Sequence, residues 1–97
     1  MTTWVSTPRV TLYTRPGCHL CDDARAVVER VCAELGESFA EVDISAGPES
    51  ERLTSAYGEE IPVTLVDGRQ HDFWRVDPVR LRAALAGGRP AGGRAGE

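Results

Sequence analysis

Two cysteines three residues apart, Cys18-His19-Leu20-Cys21, stand where a β pattern ends and a helical pattern begins, and that junction constrains the fold more than any other feature. Upstream, Val10-Thr11-Leu12-Tyr13-Thr14 alternates and is rich in β-formers, and Pro16-Gly17 stops it in a tight loop. Downstream, Leu20, Ala24, Val27, Val28, Val31 and Leu35 trace one face of a helix. Asp22 and Asp23 lie in its first turn, where carboxylates suit the helix dipole, and Gly36 follows as a stop. Cys18 therefore falls at the loop-to-helix junction and Cys21 in the first helical turn.

A second alternating run at residues 39–44 predicts a strand, and two strands joined by one helix form a right-handed βαβ unit with parallel strands. Residues 48–57 predict a second helix stopped by Gly58. Residues 61–66 are β-rich, with Pro62 near the start, where a strand tolerates it. Asp67-Gly68 is the sequence of a primed two-residue hairpin turn, so residues 69–76 should return antiparallel. Asp77-Pro78 supplies an N-cap and a first-turn proline for a third helix carrying Val79, Leu81 and Leu85. The expected order is β-α-β-α-β-β-α, an α/β fold with a four-stranded mixed sheet and helices on both faces. Residues 1–8 form an N-terminal extension, 9–86 the domain, and 87–97 a glycine-rich tail too poor in apolar side chains to pack.

Composition mostly excludes. A chain of 97 residues with net charge −4 holds one small core and no strongly basic nucleic-acid surface. No apolar run is long enough to span a bilayer, and residues 1–8 show neither the basic nor the apolar region of a secretory signal. A cytoplasmic, monomeric protein is the expectation. All 11 basic residues are arginine, which rules out a Schiff-base or general-base lysine.

The cysteine pair has a chemical logic at this position. Free N–H groups and the positive end of a helix stabilise a thiolate, and only the thiolate attacks a disulfide. Residue i+3 lies on the same side of the helix and can resolve a mixed disulfide. Cys18 is thus the candidate nucleophile and Cys21 the resolving thiol, with Arg15 and a protonated His19 favouring the thiolate and Asp22 and Asp23 opposing it. Other readings stand beside this one. A structural disulfide closing so short a loop contributes only about 2 kcal/mol. Half of a zinc site would need Cys32, His19 or His71 to complete four ligands, and His19 is poorly placed between the cysteines. A non-enzymatic redox sensor, or an iron–sulfur or metal-handling partner, could use the same pair, a cluster requiring thiolates from outside the chain. Cys32 reads as a small buried hydrophobe rather than a third redox thiol.

The run Thr11-Leu12-Tyr13-Thr14-Arg15-Pro16-Gly17-Cys18-His19-Leu20-Cys21-Asp22-Asp23-Ala24 resembles the opening of the short glutaredoxin-like proteins of the thioredoxin superfamily. Ile61-Pro62-Val63, the Asp67-Gly68 hairpin and the helix after Asp77-Pro78 extend the resemblance over about residues 9–86. It implies a thioredoxin-like fold and thiol–disulfide exchange, acting on protein or small-thiol mixed disulfides with no bound organic cofactor. The reductant would be glutathione or another low-molecular-weight thiol, or a reducing partner. It also implies a cis peptide bond before Pro62, beside the cysteines, with the Ile61 backbone open to an extended substrate. Arg15, His19, Leu20, Ile61 and Pro62 become substrate-contact candidates, and no metal site is implied. The chain departs from the typical Cys-Pro-Tyr-Cys, and it has Gly68-Arg69-Gln70-His71-Asp72-Phe73-Trp74-Arg75 where a glycine pair usually helps hold glutathione. Trp74 and Arg75 admit two readings, a substrate groove or a core aromatic beside a surface arginine.

Overall fold

The computed structural model describes residues 8–87, and the N-terminal extension and glycine-rich tail lie almost wholly outside the described residues. Seven elements follow the expected order: β1 (Val10–Thr14), α1 (His19–Leu35), β2 (Phe39–Asp43), α2 (Ser50–Tyr57), β3 (Val63–Val66), β4 (Arg69–Phe73) and α3 (Pro78–Ala86). The sheet order is β2-β1-β3-β4, with β1 and β2 parallel and the other two pairs antiparallel.

The alternation of β1 and β3 divides the core. Val10, Leu12 and Val66 pack with Ala24, Val28, Val31 and Cys32 of α1 and Leu81 and Leu85 of α3. Val63 and Leu65 face the other way and pack with Cys21, Ile44, Leu53 of α2 and Ile61. Helices therefore cover both faces, as a mixed sheet with no solvated face requires. The cysteine pair touches the α2-side cluster through Cys21, with Cys18 packed against it.

Local chemistry explains the element ends. Gly36 adopts φ 70°, and its N–H bonds the Cys32 carbonyl, a left-handed helix cap. Asp67 and Gly68 have φ of 52° and 84°, as a primed hairpin turn needs. Asp77 Oδ1 accepts the N–H of Val79 at 2.9 Å and caps α3. Gly58 caps α2 as expected, in a right-handed conformation (φ −54°), and a Cβ there would lie 2.5 Å from the Thr54 carbonyl oxygen, so close approach accounts for the glycine. Two details differ from the sequence reading. β4 ends at Phe73 because Trp74 turns to φ 64°. Leu35 and Val79 are exposed, while Cys21 and Val76 join the core, with Cys32 buried as expected. Among the described residues no helix is long and apolar enough to cross a membrane.

Candidate functional site

β1 delivers the chain through the exposed turn at residues 15–17 to Cys18, the N-cap of α1. Gly17 has φ 79°, which lets the chain reverse into the helix without a Cβ clash. The Cys18 sulfur accepts the backbone N–H of Cys21 at 3.1 Å, so it takes the place an N-cap oxygen usually fills. Cys18 and Cys21 are joined as a disulfide with their Cα atoms 5.2 Å apart. Their burial differs: Cys21 is 1% exposed, whereas Cys18 is only partly covered. An incoming sulfur reaches Cys18 first.

The acidic first turn is partly answered by neighbouring charge. Asp22 accepts from Arg25 at 2.8 Å, and Arg25 also holds Glu41 of β2 through two bonds of 2.6 and 2.8 Å. Hydrogen bonding from Arg25, and secondarily from the Thr14 hydroxyl, draws the Glu41 carboxyl below its usual pKa against the opposing effect of burial. His19 and Arg15 are exposed beside the pair in sequence, and neither lines the adjoining groove. Cys32 is 3% exposed among α1 and α3 side chains. Burial pushes its thiol pKa up, and nearby Glu37 adds to the effect.

Ile61 and Pro62 come to the pair from the loop before β3. Ile61 shares a packing cluster with Cys21, Pro62 is buried, and the bond between them is cis. No other backbone group among the described residues bonds the Ile61 N–H or C=O. Beside them lies a groove of about 550 Å3 lined by Leu20, Ile61, Asp72, Phe73, Trp74 and Arg75. Phe73 and Trp74 are about half exposed and meet edge-on at 5.0 Å between ring centres, so the core-aromatic reading of Trp74 does not hold. A left-handed tryptophan costs roughly 1–3 kcal/mol. The Trp74 N–H bonds the carbonyls of Pro62 (2.8 Å) and Glu60 (3.2 Å), and its indole Nε1 donates to the Glu59 carbonyl at 3.1 Å. The ring is fixed to the same loop that carries Ile61. Sequence periodicity missed Asp72 and Phe73, because the bulge at β3–β4, where Thr64 faces Asp72 and Leu65 faces Gln70, resets which side chains point outward. Among the described residues no three Cys, His, Asp or Glu side chains converge in a group that could hold a metal ion.

Comparison with known proteins matches residues 9–86 to the glutaredoxin-like domain (DUF836). The uncharacterized protein Rv0508 of Mycobacterium tuberculosis is 38% identical over 84 residues, covering 84% of this chain and 87% of that one. The crystal structure of XcR50 from X. campestris is 38% identical with a TM-score of 0.64, covering 80% of this chain and 96% of that one. At 19% identity, the glutaredoxin from Archaeoglobus fulgidus shares the fold, with a TM-score of 0.55 over 80% of this chain and 86% of that one.

Proposed function

The chain belongs to the glutaredoxin-like domain family and has a thioredoxin-like fold, and from that premise we propose that it is a thiol–disulfide oxidoreductase working through Cys18 and Cys21. The observation that carries the reading is the asymmetry of the pair: the more accessible sulfur caps a helix N-terminus, and its buried partner lies one turn behind.

In the reduced protein the N-terminal end of α1 and the Cys21 N–H favour a thiolate at Cys18. That thiolate attacks one sulfur of a substrate disulfide, forming a mixed disulfide and expelling the other sulfur as a thiolate. Cys21, deprotonated, then attacks the Cys18 sulfur, which releases the second substrate thiolate and leaves the Cys18–Cys21 disulfide. Two electrons pass to the substrate, and the protons given up by the dithiol neutralise its two thiolates. A low-molecular-weight thiol, glutathione or another, or a dithiol reductase returns the two electrons, and no bound cofactor is needed. Such cycling suits a reducing compartment, and the cytoplasm is the location this reading proposes. Arg15, His19, Leu20, Ile61 and Pro62 are the residues proposed to face the substrate, the open Ile61 backbone pairing with an extended segment.

Reduction of a mixed disulfide by wild type, Cys18→Ser and Cys21→Ser tests this. Cys18→Ser should abolish turnover, and Cys21→Ser should accumulate a covalent enzyme–substrate disulfide visible by mass spectrometry. Full activity in Cys18→Ser would overturn the assignment.

A further inference from the structure

We propose that the groove beside the cysteine pair selects protein disulfides in which a large apolar side chain and an acidic residue flank the reacting cysteine, in preference to glutathione mixed disulfides. The proposal rests on the oxidoreductase reading and assigns Trp74 and Arg75 as its specificity-determining residues.

Three observations support it. The groove borders the site through two residues: Leu20 lies between the two cysteines, Ile61 precedes the buried Pro62, and both line the groove with Phe73 and Trp74. A segment paired to the Ile61 backbone places alternate side chains against this wall.

The wall is also prepared in advance. Trp74 is anchored by its backbone to Pro62 and Glu60 and by its ring to Glu59, and Phe73 braces it edge-on. A large exposed aromatic surface already ordered before binding loses little freedom when a partner covers it. A second depression adjoins it, sharing Leu20, Trp74 and Arg75 and continuing over Ala24 and Val27 to Asp23.

The polar groups discriminate between occupants. The indole N–H is already donated to Glu59, and the Asp72 carboxylate is taken by Arg80 at 2.6 Å and the Asp77 N–H at 3.3 Å. Among the described residues the Arg75 guanidinium has no hydrogen-bond or ion-pair partner. The groove therefore offers apolar surface and one uncommitted cation. Glutathione carries two carboxylates and an ammonium group on a small polar frame, and a wall with one cation to offer would desolvate the second carboxylate and the ammonium without matching partners. An apolar side chain followed by one carboxylate matches both the surface and the charge.

The test uses three disulfide substrates with the reduced full chain. They are a peptide disulfide with Phe and Glu flanking the cysteine, the same peptide with Gly and Lys there, and the glutathione–cysteine mixed disulfide. Wild type should turn over the Phe/Glu peptide with a kcat/KM about tenfold or more above the other two. Trp74→Ala should raise KM for that peptide about tenfold more than for hydroxyethyl disulfide, with Trp74→Phe restoring most of the difference. Arg75→Glu, at an exposed position, should reverse the preference between acidic and basic flanks. Equal rates on all three substrates, or a preference for the glutathione disulfide, would overturn the groove assignment. Calorimetric binding of the S-methylated Phe/Glu peptide to Cys18→Ser separates the two readings. Trp74-dependent binding without exchange on any disulfide upholds the groove and sinks the oxidoreductase; exchange without selective binding does the reverse; loss of both sinks both.

Discussion

Cys32 carries a third thiol, and its surroundings separate it from the redox pair. It lies in the packing between α1 and α3, is 3% exposed, and has its thiol pKa raised chiefly by burial. Reactivity follows the thiolate fraction and access to it, and both are reduced at Cys32. In the reduced protein at pH 7, iodoacetamide should therefore label Cys18 at least about tenfold faster than Cys32, as read by peptide mass spectrometry. Comparable labelling would mean that the third thiol competes for oxidants. The helical spacing made this much of Cys32 legible, because it falls four residues after Val28 on the same face. Trp74 was not legible in the same way. Its exposure follows from a left-handed backbone held by carbonyls of residues 60 and 62, which no local pattern in residues 69–76 encodes.

At the scale of elements, periodicity and turn chemistry together placed all seven: most carry an alternating or helical apolar set, whereas β4, which buries no side chain fully, was marked by the Asp67-Gly68 turn before it. What they left out are the polar ties between elements. Arg25 of α1 reaches Glu41 of β2, and Thr14 of β1 donates to the same carboxylate at 2.9 Å. These bonds hold α1 to the end of β1 that feeds the cysteine loop. Glu41 has a depressed pKa in the folded protein, so its stabilising contribution is present above the unfolded carboxylate value, about 4.3, and is lost as pH falls through the folded value. The pair is partly solvated, which limits the effect to under about 1 kcal/mol. Urea unfolding at pH 6 and pH 3 should show Glu41→Gln less stable than wild type at pH 6, with a smaller gap at pH 3. A gap of the same size at both pH values would remove Glu41 from the acid response.

Across the whole molecule, the redox pair and the main polar anchor sit beyond opposite ends of β1. Arg9, just before the strand, is 5% exposed. It binds both carboxylate oxygens of Asp67 at 3.0 Å, Glu37 at 3.1 Å and the Leu85 carbonyl at 3.0 Å. One side chain thus joins the β3–β4 turn, the α1–β2 loop and the end of α3, partners 58, 28 and 76 residues away. Sequence spacing carries no sign of such a convergence, since none of these segments is near another along the chain. The hydrogen bond to Asp67 raises the guanidinium pKa against the cost of burial, so the group stays charged at accessible pH. Arg9→Met keeps much of the aliphatic volume but strips the guanidinium from two carboxylates and a carbonyl. Breaking such a buried arrangement from one side costs about 3 kcal/mol or more, a large part of a small domain's total stability. Cys18 lies beyond the far end of β1, a strand itself roughly 16 Å long. The urea midpoint of Arg9→Met should accordingly fall sharply, while its kcat/KM for hydroxyethyl disulfide, measured well below the unfolding transition, stays within about twofold of wild type. A parallel loss of both would mean that the anchor and the cysteine loop act as one unit through β1. Loss of stability alone would show that the fold is secured at one end of the strand and its chemistry arranged independently at the other.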